Sequence, residues 1–167
     1  RAAERAPRSL AWADDHRRVN YAEALERVQR LADWFTDQGI EHGSRIAVWV
    51  SNRSATLEAL FAAARIGAIV LPVNHRLTPA ELAFQFDDCT PRLLLVEAGW
   101  RDKAAETFAL MSETPPLVLE VGQGETRDAY EDVLAAGPTE NENSLPVPNV
   151  SAEDPLILMY TSGTTGS

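Results

Sequence analysis

The chain has 167 residues, 45% of them hydrophobic, which is enough to form the core of one domain. Its 25 acidic residues outnumber the 15 basic ones, and the net charge of −10 argues against nucleic acid and anionic membrane surfaces as partners. No apolar stretch approaches the roughly 18 residues of a membrane-spanning helix, and a single cysteine favours a reducing, cytoplasmic location. The chain begins without Met and ends in a Gly/Thr-rich stretch, so we expect a fragment of a longer protein.

The first part of the chain predicts a β-hairpin followed by a helix. Leu10–Ala13 and residues 17–19 flank a short polar turn, which is typical of a small hairpin. Asn20 is a suitable N-cap, and apolar residues at helical spacing follow it. Gly39 then offers the left-handed conformation that ends many helices. We therefore predict a helix over 21–38.

A strand–helix–strand unit comes next. Residues 46–50 are continuously apolar and rich in β-branched side chains, which is typical of a strand covered on both faces of a parallel sheet. Helical spacing over Ser54–Ile66 ends at Gly67, and residues 68–71 are again apolar. This pattern predicts one βαβ unit.

The alternation of helices and strands continues to the end of the chain. Thr78, Pro79 and Glu81 form a helix-start signal, with a capping box and a proline in the first turn. The further predicted elements are a helix 79–88, a strand 93–96, a helix 101–111, a strand Leu117–Val121, a short helix 129–135 and a last strand 156–160. The stretch 137–155 contains four prolines and no periodicity, and it is predicted to be a linker or surface loop. We predict an α/β fold with a parallel-rich sheet flanked by helices, in which residues 1–167 form part of one domain.

The last predicted strand opens into a loop, residues 161–167, which we call the Gly/Thr loop. Gly163 and Gly166 allow unusual backbone angles and close approach of a ligand, while hydroxyls and backbone N–H groups can donate to phosphate oxygens. The residues with hydroxyls are Thr161, Ser162, Thr164, Thr165 and Ser167. The glycine spacing fits neither a Walker A loop nor the dinucleotide-binding fingerprint. Because Ser, Thr and Gly are also common in ordinary connectors, composition alone leaves a phosphate loop and a plain surface turn both open.

The string YTSGTTGS at 160–167 resembles the signature loop of the adenylate-forming superfamily, which includes acyl-CoA synthetases, luciferases and the adenylation domains of nonribosomal peptide synthetases. Upstream stretches resemble family segments in the same order: NYAEA at 20–24, GSRIAV at 43–48, FAAARIGAI at 61–69 and PVN at 72–74. The segment PVNHRL at 72–77 and Thr164 depart from the pattern of peptide-synthetase domains. The chain thus resembles the N-terminal part of an acyl- or aryl-CoA synthetase.

This resemblance implies an ATP-dependent, AMP-forming reaction. In the family a carboxylate attacks the α-phosphate of Mg-ATP to give acyl-AMP and pyrophosphate, and the thiol of coenzyme A then displaces AMP. ATP, Mg²⁺ and coenzyme A are the implied cofactors and co-substrates, and a small carboxylic acid is the implied substrate. The resemblance assigns the binding of the β and γ phosphates to Thr161, Ser162, Gly163, Thr164, Thr165, Gly166 and Ser167. It assigns no catalytic residue and no metal ligand within the chain, because those of the family lie beyond Ser167, so we expect the fragment alone to be inactive.

Some alternatives stay open and others are set aside. An adenylation domain, an acyl-AMP ligase or a nucleotide-binding protein without turnover remains an alternative, because the residues that distinguish them lie beyond the chain. The histidines His16, His42 and His75 are scattered and lack the spacing of a metal site. Cys89 follows two aspartates, whose charges are expected to raise the pKa of its thiol, so it is not assigned as a nucleophile.

Overall fold

A four-stranded parallel sheet lies at the centre of the computed structural model, which describes residues 2–15, 17–122, 129–136 and 150–161. The strands are β1 (Leu10–Ala13), β2 (Arg18–Asn20), β3 (Arg45–Trp49), β4 (Ile69–Pro72), β5 (Leu93–Glu97) and β6 (Leu117–Val121). The helices are α1 (Ala2–Arg5), α2 (Tyr21–Asp37), α3 (Ser54–Ile66), α4 (Pro79–Cys89), α5 (Arg101–Phe108) and α6 (Ala129–Ala136). The sheet order is β4-β3-β5-β6, and Ile46 of β3 lies level with Val70 of β4 and Leu93 of β5.

Helices cover both faces of this sheet, as the continuous apolar strands predict. On one face, α2, α3 and α6 pack on side chains such as Ile46, Val48 and Leu95. On the other face, α4 and α5 pack on the alternate side chains, including Trp49 and Leu94. The predicted α/β class is therefore confirmed, with two apolar cores separated by one sheet.

The antiparallel hairpin β1-β2 precedes the sheet and is also confirmed. Its Trp12 packs partly against the core and stacks on Phe61 of α3, with the ring centroids 6.2 Å apart. Asn20 then caps α2 by accepting a hydrogen bond from the backbone N–H of Glu23 at 2.9 Å. The hairpin thus leads directly into the first long helix.

The helix ends follow the local signals of the sequence closely. Gly39, just after α2, and Gly67, at the end of α3, have φ angles of 74° and 71°, in the left-handed region that favours glycine. Thr78 and Glu81 form the predicted reciprocal capping box, and Pro79 lies in the first turn of α4. These local signals therefore mark the ends of α2 and α3 and the start of α4.

Three elements differ from the sequence-based expectation: α1, α5 and the last predicted strand. The short helix α1 was not predicted, and α5 ends at Phe108 instead of residue 111 and follows a 3₁₀ turn at Ala98–Trp100. Of the predicted loop 137–155, residues 150–155 contain neither helix nor strand, while 137–149 lie outside the described residues. The predicted strand 156–160 contacts the sheet through a single bridging pair instead of a full ladder.

Candidate functional site

Residues 156–160, here called the edge segment, join the sheet beside β4. The N–H of Val70 donates to the carbonyl of Leu156 at 2.8 Å, and the N–H of Leu158 donates to the carbonyl of Val70 at 2.9 Å. Val70 and Ile157 form a parallel bridge, so the edge segment runs in the same direction as the four strands. Its far end therefore points to the carboxyl edge of the sheet, where ligands bind in proteins of this class.

The Gly/Thr loop begins at the end of this segment. Thr161 follows Tyr160 directly and is exposed. The other residues predicted to bind phosphate lie outside the described residues; they are Ser162, Gly163, Thr164, Thr165, Gly166 and Ser167. The part of the site that the structure describes is therefore its approach and its surroundings.

Side chains of the edge segment alternate between the core and solvent. Leu158 and Tyr160 pack against the cluster beneath α4 and α5, whereas Ile157 and Met159 are exposed. This is the period-two pattern of a half-buried strand. One face of the segment thus anchors it while the opposite face remains open.

Tyr160 ties the start of the loop to α4. Its hydroxyl donates to Oδ2 of Asp88 at 2.5 Å and lies 3.3 Å from the carbonyl oxygen of Gln85. Burial and the hydrogen bond to Asp88 both raise the pKa of the Tyr160 phenol, because both oppose the phenolate form. Tyr160 is therefore a neutral donor that fixes the position from which the loop departs.

Cys89 lies next to this anchor and is buried. The pKa of its thiol is raised, as the sequence predicts, but the main cause is burial, and the charge of Asp88 contributes less. Asp87 has another role, since its carboxylate accepts hydrogen bonds from the backbone N–H groups of Ser112 and Glu113. A buried thiol with a raised pKa is a packing residue, in line with the sequence-based interpretation.

Aromatic rings stack behind the loop that follows β4. The ring centroids of Trp49 and Trp100 lie 5.8 Å apart, and His75 stacks on Trp100 at 5.3 Å. Lys103 Nζ donates to the carbonyl oxygen of His75 at 2.9 Å. These contacts hold the β4–α4 loop against Trp100 and Lys103, and they give His75 a packing role.

A second set of contacts joins the carboxyl ends of β3, β5 and β6. Glu97 accepts hydrogen bonds from the N–H of Ser51 at 3.0 Å and from its hydroxyl at 2.6 Å. Arg53 lies 3.4 Å from Glu97 and also donates to the carbonyl oxygen of Gly122. Burial alone would raise the pKa of Glu97, but the Ser51 hydrogen bonds and the Arg53 charge lower it overall. Sequence reasoning missed this network because its members come from separate loops with no common motif.

The described residues contain neither a cluster of potential metal ligands nor a helix that could span a membrane. Between residues 2 and 161, outside the gaps at 16, 123–128 and 137–149, no three His, Cys, Asp or Glu side chains group as metal ligands. In the same part of the chain, no helix is both long and apolar enough to cross a membrane.

Comparison with known proteins gives consistent matches. The family model described as AMP-binding enzyme matches residues 1–167. The chain is 33% identical to the 3-oxocholest-4-en-26-oate–CoA ligase of Rhodococcus rhodochrous over 96% of the chain and 29% of that protein. It is also 33% identical to the indoleacetate–CoA ligase of Aromatoleum aromaticum, over 96% of the chain and 31% of that protein.

A solved structure agrees with this match. The N-terminal domain of FACL13 from Mycobacterium tuberculosis superposes with a TM-score of 0.82 and 26% identity, over 99% of the chain and 40% of that structure. The chain spans about a third of the length of the curated relatives, at 29% and 31%. Its parallel sheet, its ordered sequence segments and its match over 1–167 place the chain in the AMP-binding enzyme family.

Proposed function

We propose that this protein is an ATP-dependent acid–thiol ligase that converts a carboxylic acid to acyl-AMP and then to acyl-CoA. The observation that carries the proposal is the parallel pairing of Leu156 and Leu158 with Val70, which directs the chain toward the carboxyl edge of the sheet just before Thr161. Family membership and the two relatives named as CoA ligases support the same reaction class. The chain spans about a third of those relatives, at 29% and 31% of their length, and we propose that it corresponds to the first portion of the AMP-binding domain.

In this proposal the Gly/Thr loop holds the β and γ phosphates of ATP. Hydroxyls from Thr161 through Ser167 and backbone N–H groups beside Gly163 and Gly166 donate to the phosphate oxygens. Exposure of Thr161 and anchoring of Tyr160 support this role, because the loop then departs from a fixed point at an exposed residue. Orienting the triphosphate lowers the barrier by holding the leaving pyrophosphate in line with the attacking carboxylate.

Mg²⁺ and coenzyme A belong to the same proposal. Hydroxyl and phosphate oxygens are ligands that Mg²⁺ accepts, and the metal would neutralise charge that develops on pyrophosphate. In this proposal the metal is bound by residues beyond Ser167 and by the ATP phosphates, and the Gly/Thr loop contributes by holding those phosphates. The lone cysteine, Cys89, supports a cytoplasmic location as part of the proposal, and we propose that residues 1–167 alone lack turnover.

The role of the loop can be tested with paired threonine variants of the full-length protein. We expect T164A and T165A each to lower kcat/KM for ATP by about 10- to 100-fold, because each removes a hydrogen bond to a charged phosphate. The measurement is carboxylate-dependent exchange of labelled pyrophosphate into ATP. The matched control is T114A, which removes an exposed threonine away from the edge segment and is expected to leave the rate unchanged. Unchanged ATP kinetics in both loop variants would refute the role of the loop.

The same assay distinguishes the alternatives to an acyl-CoA synthetase. A panel of carboxylic acids is tested for pyrophosphate exchange, and coenzyme A is then added to detect the thioester. Exchange followed by thioester formation supports the proposal. Exchange without a thioester would instead indicate an adenylation domain or an acyl-AMP ligase, and no exchange with any acid would indicate a nucleotide-binding protein without turnover.

A further inference from the structure

His42 and Asp154 are in contact although the two residues lie far apart in the sequence. His42 Nε2 lies 2.9 Å from Oδ2 of Asp154, with side-chain exposures of 47% and 25%. His42 belongs to the turn before β3, and Asp154 lies two residues before the edge segment. We propose that this pair, here called the clasp, fixes the register in which the edge segment joins β4 and thereby positions the Gly/Thr loop.

The His42 side of the clasp is built on a well-connected turn. The N–H of Ser44 donates to the carbonyl of Glu41 at 2.9 Å, and the N–H of Gly43 donates to the carbonyl of Gly67 at 2.8 Å. The N–H of Ile69, the first residue of β4, donates to the carbonyl of Ser44 at 2.8 Å. The turn that carries His42 is therefore bonded directly to the start of the strand with which the edge segment pairs.

Gly67 provides the surface on which the His42 ring rests. A Cβ atom at Gly67 would lie 2.3 Å from Cδ2 of His42, which is far inside van der Waals contact. Gly67 also has a φ of 71°, a conformation that favours glycine, and the absence of a Cβ leaves room for the imidazole ring in its present position. The bare Cα of Gly67 thus allows the close approach in which Nε2 of His42 lies 2.9 Å from Oδ2 of Asp154.

The Asp154 side is held by its own turn. Oδ2 of Asp154 also accepts a hydrogen bond from the N–H of Ser151 at 2.8 Å, and the N–H of Asp154 donates to the carbonyl of Ser151 at 3.2 Å. The hydrogen bond from His42 is the main cause that lowers the pKa of Asp154. Two residues later, Leu156 accepts its bond from Val70, so the carboxylate and the first pairing contact belong to one short stretch.

The pairing of the edge segment needs such a constraint. Within the described residues, one bridging pair, Val70 with Ile157, connects it to the sheet. A shift of one residue would move Leu158 and Tyr160 from the core face to the solvent face. Such a shift would also displace the start of the Gly/Thr loop by about 3.3 Å, the rise of one strand residue. The clasp opposes this shift at Asp154, just before the edge segment, and Tyr160 opposes it at the last residue of the segment.

Hydrogen exchange of the full-length protein tests the register directly. We expect H42A to increase the exchange rate of the peptide spanning 156–161 by about two- to fivefold, the effect of losing one partly exposed pair. H42Q should restore slow exchange, because the glutamine amide can donate from nearly the same position as Nε2. R101A is the matched control, since it breaks an exposed pair with Glu120 far from the edge segment.

A double-mutant cycle separates the clasp from general destabilisation. If the two side chains act through each other, the double variant should increase exchange of the peptide by the same factor as D154A alone, so that H42A adds nothing once Asp154 is absent. The effect of D154A can exceed that of H42A, because D154A also removes the acceptor of the hydrogen bond from Ser151. Additive effects of the two single variants, no effect of H42A, or an equal effect of R101A would each overturn the proposal.

The consequence for ATP rests on the proposed function and needs its own measurement. We expect H42A to raise KM for ATP by about the same two- to fivefold, while kcat and KM for the carboxylic acid stay unchanged, and H42Q to restore the wild-type value. Faster exchange with unchanged KM for ATP would overturn the link between the clasp and the loop. If the wild-type protein shows no carboxylate-dependent exchange of pyrophosphate into ATP, the proposed function is refuted instead. The hydrogen-exchange result would still decide whether the clasp fixes the register.

Discussion

Glu58 is a carboxylate with no exposed surface, placed where α2, α3 and α6 meet. It accepts hydrogen bonds from Arg27 Nε at 2.7 Å and from the hydroxyl of Tyr130 at 2.6 Å. Arg27 also donates to Glu131 at 2.8 Å, so one guanidinium joins two carboxylates. Burial alone would lower the pKa of Arg27, but these bonds raise it overall, and burial raises the pKa of Tyr130 well above its usual value. The network keeps α6 attached to the two longer helices.

Removing Glu58 should therefore be costly. We expect E58A to lower the free energy of unfolding by about 3–5 kcal/mol, because it leaves the Arg27 charge and the Tyr130 hydroxyl buried with fewer partners. The measurement is urea unfolding of the full-length protein. The control E106A replaces an exposed glutamate on α5 and should change the stability by less than about 0.5 kcal/mol. Equal effects of the two variants would show that the buried carboxylate contributes no more than an exposed one.

Helix starts and stops are the elements that local sequence signals specify best. The capping box at Thr78 and Glu81 and the left-handed glycines at 39 and 67 lie where the sequence predicts them. Each of these signals acts through groups within three or four residues, so it can be read without knowledge of the fold. The alternating order of strands and helices follows from the same local patterns.

The capping box offers a test at this scale. We expect T78A to destabilise the protein by about 1 kcal/mol, because the N–H of Glu81 loses the hydroxyl that accepts its hydrogen bond. Far-ultraviolet circular dichroism during urea unfolding measures this change. T78S keeps the hydroxyl and should stay within a few tenths of wild type. A T78S variant as unstable as T78A would show that the threonine methyl group, not the cap, accounts for the loss.

Local sequence patterns predict less well those elements whose ends or pairing depend on residues far away in the sequence. The helical pattern of α5 continues to residue 111, but the N–H groups of Ser112 and Glu113 bond to Asp87 of α4, and the chain turns after Phe108. The edge segment has the composition of a strand, but its pairing with Val70 depends on residues far away in the sequence. Helix α1 buries no residue, so it leaves no apolar pattern to detect.

The candidate site shows the same limit. Its Gly/Thr loop was identified from composition and resemblance, and Thr161 follows the edge segment as predicted. The residues that hold that segment were not predicted as a group: Tyr160 with Asp88, and His42 with Asp154. A histidine or an aspartate in a turn carries no signal of its partner when the partner lies on another element.

At the scale of the whole molecule, several carboxylates have pKa values below their ordinary values of 3.8 for Asp and 4.5 for Glu. They are Glu81, Asp87, Glu97, Glu131 and Asp154. For Glu131, burial alone would raise the pKa, but the hydrogen bond and charge of Arg27 outweigh it. Asp33 behaves in the opposite way, since burial raises its pKa.

These shifts predict loss of stability in acid. A carboxylate with a lower pKa in the folded state binds protons more strongly when unfolded, so its contribution is complete above the ordinary pKa and disappears as the pH falls through the folded value. We expect the urea midpoint of the full-length protein to fall once the pH drops below 4.5, the ordinary value for Glu. Among the carboxylates of the described residues with a shifted pKa, Asp33 gives the opposite sign, and this one group should not reverse the trend. A midpoint that rises between pH 5 and pH 4 would contradict this assignment, and D87N should show a shallower fall than wild type.

The order β4-β3-β5-β6 also has a consequence for synthesis on the ribosome. β4 is synthesised early and pairs with β3 on one side. Its outer edge pairs with residues 156–158, which are synthesised after β5, β6 and α6. An open strand edge can pair with a neighbouring nascent chain. The stretch that precedes the predicted phosphate loop covers this outer edge of β4, and its pairing should therefore lower the tendency of the newly made protein to aggregate.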